Sequence, residues 1–124
     1  MDIVFTDREL DVMNVLWDQG SATVTEVRDA LHDELAYTTV LTILRTLEEK
    51  GYITHEEEGR AHRYVPAVER ANAAESAVGR MLKKLFAGSP EMMLTHLVSD
   101  RKLKPADLKR MRKLIDEQLK KGGS

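Results

Sequence analysis

One short stretch of the sequence carries small polar side chains at the spacing of a helix. Residues 37–50 place Val40, Ile43, Leu44 and Leu47 on one side of such a helix. The opposite side holds Thr38, Thr42 and Arg45, with Thr39 at its edge near the start. Threonine hydroxyls bond base edges or phosphates, and arginine pairs with guanine or with phosphate. This side is therefore typical of a helix that lies in the major groove of DNA.

A second group of basic residues follows in a predicted β-hairpin. Residues 52–56 and 61–65 have the aromatic and β-branched content of strands, and Glu58 with Gly59 supplies the turn. Around that turn lie Arg60, His62 and Arg63, which suit phosphate or minor-groove contact. Each of these residues alone could be an ordinary solvated side chain. Their combination with the polar helix side favours nucleic acid.

The elements that would position these side chains are predicted by capping residues and apolar periodicity. Thr6 with Glu9 and Thr23 with Glu26 form capping boxes that begin helices over residues 7–18 and 24–34. The helix over 37–50 and the hairpin follow, and the remaining helices are predicted over 71–86, from Pro90 and from Pro105. The fold class is therefore mainly α with a small β-hairpin. The order of the first five elements predicts a winged helix-turn-helix domain.

Composition limits the kind of protein further. The chain has 124 residues and no cysteine, which excludes disulfides and thiolate metal sites. Its apolar runs are shorter than the roughly 18 residues of a membrane span, and we see no signal peptide. We therefore expect a cytoplasmic protein without membrane insertion. Residues 1–67 carry six Lys and Arg against fourteen Asp and Glu, whereas residues 68–124 carry thirteen against seven. This acidic first half counts against DNA binding, and the wing acids at 56–58 are the main difficulty.

The second half of the chain is predicted to be an association module. We expect a winged-helix DNA-binding domain at 1–68, a helical dimerisation domain at 69–121 and a disordered tail at 122–124. The amphipathic helices of the second domain carry more apolar surface than the small first domain can cover, and the alternative is a compact monomer in which they fold back. The residues expected at a dimer interface are Met81, Leu82, Leu85, Met93, Leu97, Leu108, Met111, Ile115 and Leu119.

Enzymatic function is not supported by the sequence. The four histidines are dispersed and form no metalloprotease pair, and neither a glycine-rich phosphate loop nor a nucleophile motif is present. His55 and His62 could face each other across the hairpin, but no further metal ligand is evident nearby. We therefore expect no catalysis, no metal and no cofactor.

Three segments together resemble a known family. Residues 35–51, the opening at 6–17 and the wing at 59–64 resemble the penicillinase repressor family of BlaI, MecI and CopY type. The resemblance implies a homodimeric repressor with an N-terminal winged helix on an inverted-repeat operator and a C-terminal dimerisation domain. It places Thr38, Thr39, Thr42 and Arg45 on the recognition helix. Leu41 stands where many members have a basic residue, and Ala36 with Tyr37 replaces the Ser-Pro start of some relatives.

The resemblance also bears on how the repressor would be released. Antibiotic-responsive members are cut by a membrane sensor metalloprotease at an Asn-Phe bond, and His96-Leu97 stands at that position here. The copper-responsive branch uses a cysteine motif, which this chain lacks. Release by proteolysis and release by an unrecognised ligand both stay open.

We expect a transcriptional repressor that binds a double-stranded DNA operator and controls β-lactamase, antibiotic-response or stress genes. The alternative, which the acidic first half allows, is a winged-helix protein-interaction module without specific DNA binding.

Overall fold

The computed structural model describes residues 2–122 and confirms the predicted fold class, mainly α with a small β-sheet. The chain forms two compact units, Met1–Val78 and Gly79–Ser124. The elements in chain order are α1 (Asp7–Gln19), β1 (Ala22–Thr23), α2 (Val24–Ala30), α3 (Tyr37–Glu49), β2 (Ile53–Glu58), β3 (Ala61–Pro66), α4 (Arg70–Leu85), α5 (Pro90–Val98) and α6 (Pro105–Gly122).

Both predicted capping boxes begin their helices. The Thr6 hydroxyl accepts a hydrogen bond from the Glu9 backbone at 3.1 Å, and the Glu9 carboxylate accepts one from the Thr6 backbone at 2.8 Å. Thr23 and Glu26 repeat this arrangement at 3.2 and 2.9 Å. These reciprocal bonds satisfy backbone donors that a helix start leaves without partners. Helix positions in the first unit are therefore set by local contacts.

The second helix is shorter than predicted. We expected a helix over 24–34, but α2 ends at Ala30 and Leu31 adopts extended backbone angles. Leu31 packs against the core, whereas the following residues His32 and Asp33 are exposed. The chain therefore leaves the helix as soon as its last apolar side chain has been buried, which brings the start of α3 closer.

The wing is a hairpin extended by a short third strand. The sheet order is β1-β3-β2, and both pairs are antiparallel. Glu58 pairs with Ala61, so the turn residues are Gly59 and Arg60, one position later than predicted. Gly59 has a φ of 62°, which glycine adopts without the steric cost of a side chain. The turn therefore presents Arg60 at the tip of the wing.

The core of the first unit lies among α1, α2, α3 and the sheet. Its fully buried large side chains are Val12, Met13, Leu16, Val27, Val40, Leu44, Leu47, Ile53 and Tyr64. The first turns of α4 belong to this unit, because Ala73 is buried and the Ser76 hydroxyl accepts a bond from the Ile3 backbone at 3.0 Å. The first unit therefore extends to Val78, beyond the expected domain boundary at residue 68.

The second unit is helical and open. Its residues from 79 to 122 are all partly or fully exposed. The Ser89 side chain caps α5 by accepting a bond from the Met92 backbone at 3.2 Å, as predicted. Gly122 was expected in a disordered tail but ends α6, and the rest of that tail, residues 123–124, lies outside the described residues. Over the described part of the chain, the helices lack the combination of length and apolarity that crossing a membrane requires.

Candidate nucleic-acid interface

The polar side of α3 faces outward. Val40, Leu44 and Leu47 are fully buried and hold the helix against the core. The predicted contact residues on the other side, Thr38, Thr39, Thr42 and Arg45, are all exposed. The surface that would meet base pairs is therefore open, as a recognition helix requires.

The polar groups of this side retain bonding capacity. The Thr42 hydroxyl donates to the Thr38 carbonyl at 2.9 Å, which leaves the hydroxyl oxygen free to accept. Within residues 2–122, Arg45 forms neither an ion pair nor a hydrogen bond. Its guanidinium is therefore available for an acceptor outside the protein.

Carboxylates near Arg45 do not cover it. Glu48 bonds to the His55 ring, with 2.5 Å between Oε2 and Nδ1. Glu49 is exposed and lies four residues after Arg45, at the end of the helix. The first three turns of α3, which contain the three threonines, carry no acidic residue. The acidic character of the first half is thus absent from the part of α3 that would enter a groove.

The wing arginines have different surroundings. Arg60 is exposed and has no ion-pair partner among the described residues. Arg63 pairs with Glu58 at 2.8 Å and with Glu26 at 3.0 Å. The hydrogen bond to Glu58 and the charge of Glu26 raise the pKa of the Arg63 guanidinium. Arg63 therefore connects the wing to the start of α2, whereas Arg60 has its charge free.

His62 lies in a stack with His55. Their ring centroids are 4.2 Å apart and their planes differ by 7°. Tyr64 lies beneath both rings and is buried. Burial and the nearby charge of Glu48 raise the pKa of the Tyr64 hydroxyl. The wing histidines are thus part of an ordered cluster between α3 and the hairpin.

Sequence reasoning missed Tyr37 as an interface residue. Tyr37 is 45% exposed and precedes Leu41 and Arg45 at four-residue intervals, which places all three on one side of α3. Glu48 continues this line and contacts the wing. The same spacing rule that identified the threonines could have identified Tyr37, whose phenol suits phosphate or base contact.

The predicted dimerisation residues lie in or beside the open second unit. Met81, Leu85, Leu97, Leu108, Ile115 and Leu119 are exposed, and Leu82, Met93 and Met111 are partly buried. Leu114, which the seam reading omitted, is 61% exposed. At the position expected for cleavage, His96 and Leu97 lie within α5, and the His96 ring contacts Phe86 with 5.5 Å between centroids.

A metal centre is not formed by the described residues, which contain no suitable group of three or more His, Asp or Glu side chains.

The fold and the exposed helix side define a winged helix-turn-helix protein of the DNA-binding type. A model of the penicillinase repressor family matches residues 5–117. The chain belongs to the penicillinase repressor family. This is a family of transcriptional repressors, which confirms the expectation that the chain is not an enzyme.

Individual relatives agree with this assignment. The chain is 37% identical over 99 residues to the transcriptional regulator BlaI of Mycobacterium tuberculosis, covering 74% of this chain and 70% of that protein. It is 25% identical over 114 residues to the penicillinase repressor of Bacillus licheniformis, covering 90% and 89%. It also resembles the solution structure of monomeric B. licheniformis BlaI in complex with the blaP half-operator. That match has 31% identity and a TM-score of 0.50, and covers 58% of this chain and 90% of that one.

Proposed function

We propose that this protein is a transcriptional repressor that binds an inverted-repeat operator as a homodimer. The observation that carries the proposal is the exposed Thr38, Thr42 and Arg45 side of α3, on which Arg45 has no partner among the described residues. The similarity to a BlaI chain solved with a half-operator supports the same conclusion. Because residues near the start of a recognition helix contact base edges, Thr38, Thr39 and Thr42 read bases while Arg45 takes guanine or phosphate.

The internal pairing of acids makes DNA binding compatible with the acidic first half. Glu48 is bonded to His55, and Glu26 and Glu58 are paired with Arg63. These three carboxylates therefore have local partners, and two of the acids nearest the wing tip remain, Glu56 and Glu57. Arg60 at the tip supplies a free positive charge for the phosphate backbone.

The open second unit supports the homodimer. Exposed apolar side chains at Leu114 and Leu119 contribute favourably only when another surface covers them, at roughly 25 cal/mol per Å² buried. A second copy covers them with two-fold symmetry and places two recognition helices about 34–36 Å apart, or a multiple of that, on a palindrome. Repression then follows from occupation of the promoter.

The genes and the signal follow from family resemblance. We propose that the operator controls β-lactamase, antibiotic-response or stress genes, and that a sensor metalloprotease is a candidate partner. His96 and Leu97 lie in helical backbone, so cleavage there requires α5 to open locally.

An Arg45→Ala variant tests the proposed function. Removing a good base or phosphate contact should weaken binding to the promoter DNA upstream of the protein's own gene by about 5- to 150-fold. Fluorescence anisotropy at several salt concentrations measures this, with Arg28→Ala as the matched control because Arg28 bonds to Asp29 at 3.7 Å and is outside α3. Equal weak binding to any DNA, or none, would favour the protein-interaction alternative.

A further inference from the structure

The stacked histidines between α3 and the wing have a geometry that simple solvent exposure does not require. The rings of His55 and His62 are parallel and in contact, although each side chain lies on a different strand. A hydrogen-bonded partner from α3, Glu48, holds the inner ring. The stack therefore fixes the orientation of His62 relative to the recognition helix.

Strand register explains how the stack forms. His55 lies opposite Tyr64, and His62 lies opposite Glu57. Residues that pair directly, and residues two apart on one strand, point to the same side of a sheet. One side of the hairpin thus carries a column from buried Tyr64 through the two histidines to exposed Glu57.

We propose that His62 is a proton-dependent contact to the DNA backbone, and that His55 is a positioning residue that Glu48 holds in place. This proposal rests on the proposed function, which it deepens. The wing lies beside the open side of α3, so a duplex in contact with Arg45 brings phosphates close to the wing. A phosphate next to the His62 ring favours its protonated form.

The charges around the stack allow one proton and disfavour two. Two imidazolium rings with centroids 4.2 Å apart would repel each other. His55 satisfies Glu48 while neutral by donating its Nδ1–H, so the added proton goes to His62. The other charged or titratable groups that face the cluster are Glu57 from β2, Tyr64 from β3, and Arg45 and Tyr37 from α3, whose charges reach Tyr64. Glu57 favours the cation on His62 and Arg45 opposes it.

The consequence is a proton taken up when DNA binds. Histidine is the side chain whose charge ordinarily changes between about pH 5 and 8. If one proton accompanies binding, affinity falls as pH rises, by at most about tenfold per pH unit. A His62 that only packs against the hairpin would give no such linkage.

The test measures operator affinity as a function of pH in full-length variants. The probe is a fluorescein-labelled duplex from the upstream promoter region, titrated at constant ionic strength at about pH 6 and about pH 8. We expect wild type to bind several-fold tighter at the lower pH and His62→Gln to lose that gain. His32→Gln is the matched control, because His32 has no contact with the wing among the described residues, and it should follow wild type.

Two variants separate positioning from mere packing. His55→Ala removes both the stack and the Glu48 bond, so it should reduce the pH-dependent gain to the level of His62→Gln. His55→Phe keeps a flat ring for stacking and should recover part of the gain. Thermal unfolding checks that each variant is folded, and His55→Phe keeps the test decisive if His55→Ala is not.

The outcomes distinguish this proposal from the function on which it rests. Specific, Arg45-dependent binding with the same pH profile in wild type and His62→Gln would overturn the proton-dependent contact. An unchanged profile in folded His55→Ala would overturn the positioning role. Binding without sequence preference in wild type would refute the repressor function, and this inference with it.

Discussion

At the scale of single residues, Glu9 shows how one carboxylate supports the recognition helix from a distance. It completes the capping box of α1 and accepts a bond from the Lys50 ammonium at 2.8 Å, immediately after α3 ends. Burial alone would raise the pKa of Glu9, but the bonds from Lys50 and Thr6 outweigh it and lower the pKa below its ordinary 4.5. The ionised form is therefore preferred in the folded protein.

A Glu9→Gln variant tests this contribution to stability. A folded-state pKa below the unfolded value stabilises the protein above about pH 4.5, and this contribution is lost as pH falls through the folded-state pKa. The variant should lower the free energy of unfolding by about 1–2 kcal/mol at neutral pH. The difference from wild type should shrink in acid.

Urea unfolding between neutral and acidic pH measures the effect of Glu9→Gln. Glu34→Gln is the control, since the exposed Glu34 has no bonded partner among residues 2–122. A constant difference across the pH range would show that Glu9 acts through hydrogen bonding alone.

At the scale of elements, the wing carries two arginines of the same type with different surroundings. Arg60 lies at the turn with a free guanidinium, whereas Arg63 lies on β3, the central strand, and pairs with carboxylates on β2 and α2. Sequence predicted both as DNA contacts. The ion pairs of Arg63 give it a second role, because they hold the wing against the helix-turn-helix pair.

Separate substitution of the two arginines should give different results. Arg60→Gln should weaken operator binding and reduce the salt slope of the affinity by about one, because one phosphate contact is lost. Arg63→Gln should lower the melting temperature, because Glu58 and Glu26 lose their partner.

Salt-dependent anisotropy and thermal unfolding, each on both variants, check this difference. The assignment is wrong if Arg63→Gln changes the salt slope at an unaltered melting temperature. A drop in melting temperature for Arg60→Gln would contradict its placement at a free tip.

At the scale of the whole molecule, the two units divide binding and association between them. The first unit has a buried core and an open polar helix side, whereas residues 79–122 of the second have no buried member. Amphipathic helices of that kind need a partner surface. Operator affinity in our proposal thus depends on both units, since two linked half-site contacts bind more tightly than one.

A Leu114→Glu variant tests the association surface. A carboxylate placed on this apolar side would be buried without a partner in the dimer, so the variant should be monomeric at micromolar concentration and bind the palindrome more weakly. Light scattering coupled to size-exclusion chromatography measures the mass.

Lys113→Glu makes the neighbouring charge change as a control and should remain dimeric. A monomeric wild type at the same concentration would refute the homodimer, and a dimeric Leu114→Glu would place the interface elsewhere.

Much of the fold could be predicted because its signals are local. Capping pairs such as Thr6 with Glu9 lie within one helical turn, and the apolar spacing of α3 identified both its buried side and its exposed threonines. The start of α5 at Ser89 and Pro90 was equally local. These features depend on residues a few positions apart, so the sequence alone determined them.

Other features depended on residues far apart in the chain. The pairing of Ala22 with Tyr64 makes β1 a strand, although two residues give no strand signal by themselves. The end of α2 depends on where Leu31 finds the core. The partners of Arg63 and the stacking of His62 were decided in the same way. Tertiary structure alone decided these contacts, because a side chain's partners are set by the elements that packing brings beside it.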